Sequence, residues 1–169
     1  MRKIVGLVLV AAALAFLGFA GWRWSGTVWN EDRTYAAQLS DMKDTAVRDM
    51  VMLNSVDPSR AQLDMEHWLD ISTGTLREAL QRDLPAAQAK FAKQQVPTRG
   101  EVTAAAVTSF DKDAGKATVL ASVRVFLGAD SGGAPSSEQR KRFEVGMKRI
   151  SDGLWKVESL TPVAPGGHL

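Results

Sequence analysis

The chain contains no cysteine, a single tyrosine and two histidines. The first absence excludes a disulfide scaffold, thiol catalysis and zinc sites built on thiolates. The scarcity of the other two leaves few side chains suited to acid–base catalysis. There is no glycine-rich phosphate loop and no nucleophile-elbow motif. A surplus of one charge is missing as well: Lys and Arg number 21 against 19 Asp and Glu, a formal net charge of +2. Arg2, Lys3 and Arg23 flank an apolar N-terminus, and without them 18 basic groups face 19 acidic ones. The pI of about 9.0 therefore does not describe a basic domain, and nucleic acid is not an expected partner. What is present, 169 residues of which 45% are hydrophobic, fits one domain with an appendage.

From Ile4 to Trp22 run 19 residues without a charged or amide side chain. As a helix they rise about 28 Å, close to the roughly 30 Å of a hydrocarbon core. Trp22 and Trp24 suit the interface beyond it, where Arg23 can snorkel to water. Arg2, Lys3 and the terminal amine predict an N-terminus inside and the remainder of the chain outside. The expected organisation is a membrane anchor over 1–24, an extracytoplasmic domain over 25–161 and a loose tail over 162–169, located at the cytoplasmic membrane as a single-pass protein. A cleaved signal peptide is the competing reading, with Gly18 and Ala20 at the small positions before a cut, although the run exceeds the usual signal core. Ala11, Ala15 and Gly18 share one helical face and are candidates for packing against another membrane helix; apolar-span composition alone also accounts for them.

Apolar residues recur at three and four over Glu31–Ser55: Tyr35, Leu39, Met42, Ala46, Met50 and Leu53, a stripe on one side of a long helix. Asp57-Pro58 closes it and starts a short helix carrying Leu63, Trp68, Leu69 and Ile71. Thr75 with Glu78 reads as a capping box for a third helix, whose stripe is Leu76, Leu80, Leu84, Ala87 and Phe91. Pro85 is expected to kink or split it. After Gly100 the pattern turns to strands: Glu101–Phe110, a turn at Asp111–Gly115, and strict alternation of Ala117, Val119, Ala121, Val123, Val125 and Leu127. A loop at Asp130–Ser137 precedes a third strand, Gln139–Ile150, and Ser151-Asp152-Gly153 turns into a fourth, Leu154–Leu160. The fold class is α+β: a transmembrane helix, then three helices packed on a four-stranded antiparallel sheet.

This order of parts, with Leu69-Asp70-Ile71-Ser72-Thr73-Gly74 closing the short helix and Asp152-Gly153-Leu154-Trp155-Lys156-Val157 opening the last strand, resembles the Mce-associated membrane proteins of actinobacteria. The resemblance implies a cone-shaped, nuclear transport factor 2-like (SnoaL-like) domain assisting transporters that move lipids or sterols across the envelope. Type IV secretion components of the periplasmic side are a more distant resemblance.

Cone-shaped relatives include enzymes that work with an Asp or His base and Tyr donors. Here Tyr35 lies near the anchor and His168 is the penultimate residue. His67 stands among Asp64, Glu66 and Asp70, where solvated helical charge accounts for the cluster better than a metal. No catalytic residue, cofactor or metal is expected, and the chain reads as non-enzymatic. Arg140, Lys141, Arg142, Lys148 and Arg149 share a strand with Glu144 as their one anion. They form a candidate docking surface for anionic lipid headgroups or an acidic partner, against the plainer account of a charged strand that resists edge pairing. Two functions stand open: an accessory subunit contacting envelope transporter proteins, or a domain whose interior takes a hydrophobic ligand such as a lipid.

Overall fold

The computed structural model describes residues 34–91, 93, 94, 96–128, 137–151 and 153–164. The expected membrane span, with Ala11, Ala15 and Gly18, lies outside them, as do the loop at 129–136, Asp152 and His168. Among the described residues no helix is long and apolar enough to cross a membrane. The chain divides into two compact units, Met1–Leu39 and Ser40–Leu169. Of the first, residues 34–39 are described, and they are helical.

Helix α1 (residues 34–53) buries Met42, Ala46, Asp49 and Met50, one face at helical spacing. Its end is tied down by its own sequence: Asn54 Nδ2 donates to the Met50 carbonyl at 2.9 Å and Ser55 Oγ to that of Val51 at 2.7 Å. Ser55 Oγ in turn accepts the Gly100 N–H at 2.9 Å. A Cβ on Gly100 would stand 2.7 Å from Asn54 Cβ, so only glycine lets the sheet approach the helix end this closely. Val56 and Thr98 then exchange main-chain hydrogen bonds of 3.0 and 2.9 Å.

Asp57 caps a short 3₁₀ turn, Pro58–Arg60, by accepting the Ser59 N–H at 2.9 Å, and α2 (Ala61–Ile71) follows. The buried residue of α2 is Met65, while Leu63 stays 47% exposed. Helix α3 (Gly74–Phe91) departs from expectation at two points. It runs unbroken through Pro85, because the lost hydrogen bond and the crowded carbonyl fall on an exposed side that water serves. Nor does Thr75 cap it: the Thr73 carbonyl accepts the Arg77 N–H, and the Thr75 hydroxyl donates instead to the Glu158 carbonyl at 3.0 Å. Gly74, at φ +53°, makes the bend that permits this.

Four strands form an antiparallel meander in the order β1 (Thr98–Asp111), β2 (Lys116–Leu127), β3 (Ser137–Arg149) and β4 (Trp155–Pro162). Strand β2 shows the expected alternation, with Ala117, Val119, Ala121, Val123 and Val125 buried. Phe143, Val145, Met147, Trp155 and Val157 complete the core from β3 and β4. β1 carries two register shifts, at Thr103 and Thr108. Each hydroxyl donates to a β2 carbonyl, of Ser122 at 3.2 Å and Thr118 at 3.3 Å, filling the gap left by the extra residue. Phe126 departs from the alternation. It is buried on the face away from the core, beneath the guanidinium groups of Arg99 and Arg124 at 5.4 and 5.0 Å from its ring centre.

The two halves are joined by a clamp. Ser72 bridges to Val157 in parallel sense, and the Thr73 N–H donates to the Val157 carbonyl at 2.8 Å. Of the stretch expected as tail, Pro162 closes β4 and the Val163 N–H donates to the Arg142 carbonyl at 2.9 Å, while residues 165–169 lie outside the described ones.

Candidate functional site

β3 outruns β4, which pairs with it only from Arg149 back to Phe143. At the overhanging end a groove of about 910 Å³ is lined by Ser122, Arg124, Arg140, Lys141, Arg142 and Val163, among others. Alternation turns Arg124, Arg140 and Arg142 to the face away from the core. Glu138 organises two of them. Its carboxylate receives Nε and Nη2 of Arg124, each at 2.8 Å, and Nε of Arg140 at 3.2 Å. These charged donors draw Glu138 down to about 2, and the same contact raises Arg124 above its ordinary value. Lys141 and Arg142 are exposed and take part in no ion pair among the described residues.

The five cations singled out in the sequence therefore separate into two groups. Arg140, Lys141 and Arg142 line the groove. Lys148 and Arg149 lie toward the other end of β3, where both are engaged. Lys148 Nζ is 3.3 Å from Glu158 Oε1. Arg149 Nη2 donates to the Lys112 carbonyl at 2.7 Å, and its guanidinium lies 5.9 Å from the Trp155 ring centre. The groove also takes in Pro162, Val163 and Ala164, which the sequence gave no reason to connect with the basic strand.

A second pocket, of about 350 Å³, lies where the end of α1, the 3₁₀ turn, α2 and the start of β1 meet; Arg60, Asp64, His67, Trp68 and Arg99 are among its walls. Its polar groups serve the fold. Asp64 Oδ2 accepts the Asp57 N–H at 2.8 Å, and Asp64 Oδ1 lies 3.7 Å from Arg60 Nε. Asp57 is held below its ordinary carboxylate value by the hydroxyl and N–H of Ser59. Trp68 Nε1 donates to the Met52 carbonyl at 2.8 Å, and its ring meets Phe91 edge-on at 5.8 Å. Among the described residues no three His, Asp or Glu side chains converge as metal ligands, and this holds for Asp64, Glu66, His67 and Asp70. Tyr35 is 41% exposed.

The titratable group the sequence reading passed over is Asp49, 3% exposed on the core face of α1. Burial pushes its pKa up to about 6, against the opposing pull of Arg48 and Lys156. No motif marks it: Asp49 lies beside Met50 in a stripe that otherwise reads as apolar.

The profile of the family described as "Uncharacterized protein Rv1363c/MT1408-like" matches residues 1–159. No curated protein matches the chain. Among solved structures it is similar to CagV, described as a VirB8 homolog of T4SS from Helicobacter pylori strain 26695, at TM-score 0.58 and 7% identity over 75% of this chain and 99% of that one. It is similar to a periplasmic fragment of TraM, at TM-score 0.56 and 12% identity over 73% and 96%. It is also similar to VirB8 of Agrobacterium tumefaciens, at TM-score 0.52 and 9% identity over 78% and 96%. At such identities the likeness is one of fold: an α+β, nuclear transport factor 2-like domain.

Proposed function

The chain belongs to the Rv1363c/MT1408-like family, and from that membership and its fold we infer that it is a non-enzymatic, membrane-tethered component of an envelope protein assembly. The observation that carries this reading is the likeness of the fold to domains whose descriptions place them in type IV secretion or in the periplasm. The apolar run Ile4–Trp22 supports the tether, with the domain on the outer side of the cytoplasmic membrane. An Mce-type lipid or sterol importer is one assembly of this kind. That finer reading rests on the order of parts and two motifs, and the motifs meet in the fold: Ser72-Thr73 from one is hydrogen-bonded to Val157 from the other. Their presence follows from holding α3 against β4, whatever the partner. The domain acts by contact, through the exposed groove at the end of β3, rather than by turnover or by enclosing a lipid.

Detergent extraction of native membranes containing the tagged full chain tests this. Integral envelope proteins should co-purify in fixed ratio after chemical crosslinking. A chain recovered alone, with or without crosslinker, would sink the assembly reading. A stoichiometric lipid in the purified protein would instead favour the ligand-binding domain.

A further inference from the structure

Strand β3 offers main-chain groups that no described strand takes up. Beyond Val163, residues 137–141 have β2 on one flank and no described strand on the other. Main-chain groups along an antiparallel strand point to alternate flanks. Those of Arg142 turn toward Val163, so those of Arg140 and Glu138 turn the same way, onto the open flank. The rim of this flank is cationic. Arg124 and Arg140 share one carboxylate, Glu138, while Lys141 and Arg142 add two more positive charges. A phospholipid headgroup answers the charge but leaves the main-chain groups to water. An extended peptide with acidic side chains answers both at once. The bond from Val163 shows that this flank already accepts extended chain.

We propose that the open flank of β3, rimmed by Arg140, Lys141 and Arg142, takes an acidic segment of a partner protein as an added strand. This deepens the assembly reading and rests on it. The test uses the full chain in phosphatidylcholine nanodiscs and a fluorescent decapeptide of alternating glutamate and valine, followed by anisotropy at low and physiological salt. Saturable binding is expected, weakened tenfold or more by Lys141→Glu with Arg142→Glu and unchanged by Lys90→Glu on α3. The milder Lys141→Gln with Arg142→Gln should weaken it about threefold, and a thermal melt of each variant checks that it is folded. Blocking one edge of the peptide by N-methylation should cost at least as much as the charge reversal. Absence of saturable binding overturns the proposal. So does equal binding of a glutamine–valine peptide or of the N-methylated one. Displacement of the peptide by phosphatidylglycerol vesicles but not by phosphatidylcholine vesicles would make the flank a lipid-headgroup site and overturn it as well. If peptide binding fails while envelope proteins still co-purify, this docking site falls and the assembly reading stands. The reverse result removes the assembly reading alone.

Discussion

Asp49 occupies a core position on α1 between Ala46 and Met50, and its carboxylate loses water there without gaining a close cation: Arg48 Nε is 3.9 Å away. Its pKa rises from an ordinary 3.8 to about 6. A group raised on folding contributes stability that is complete below about pH 4 and lost as pH climbs through 6. At neutral pH the folded protein therefore bears the cost of a buried charge. Asp49→Asn should raise the melting temperature at pH 7.5, by an amount worth up to about 3 kcal/mol. At pH 4 the variant and the parent should melt together. A variant that melts lower than the parent at both values would show instead that the carboxylate holds the core together. Phe126 makes the complementary point about polarity. An aromatic ring on the outer face of a sheet looks misplaced in one dimension, yet guanidinium groups from two strands roof it.

Elements whose character depends on their own periodicity were legible in the sequence; those that depend on a distant partner were not. β2 declares itself because one face is buried from end to end, and α1 because Met42, Ala46 and Met50 fall on one side. The start of α3 was misread because its geometry is imposed by β4. Thr75 has a hydroxyl suited to capping, but the Glu158 carbonyl claims it. The basic strand was legible as a run of cations, while its division into an end that lines the groove and an end tied to Glu158 and the Lys112 carbonyl depends on where β4 stops. A test of the clamp follows from Gly74. Its φ of +53° and the 3.0 Å from its ideal Cβ to Glu158 Cγ leave little room for a side chain. Gly74→Ala should cost about 1–2 kcal/mol. Hydrogen exchange should quicken at Thr73 and along β4, while β1 and β2 keep their protection. Uniform loosening of the whole sheet would mean that the junction does not act locally.

For the whole molecule, charge is close to balanced overall and locally concentrated in the groove at the end of β3. The fold class was accessible from layout alone, since helices precede strands and the strand connections are mostly hairpins. The docking edge needed coordinates, because it exists only in the difference between the lengths of β3 and β4. The proposed tether is tested at this scale too. The full chain should remain in the pellet when membranes are washed at alkaline pH, whereas a chain lacking Ile4–Trp22 should be released. Release of both would point to a cleaved leader.

The link between Thr75 and Glu158 spans 83 positions of the chain. During synthesis the helical half emerges first, and α3 can pack on α2 long before β4, its second support, exists. A nascent chain that has not yet released Val157 would display three helices and part of a sheet with the contact to Glu158 still unmade. Final consolidation of this domain thus waits for the emergence of β4.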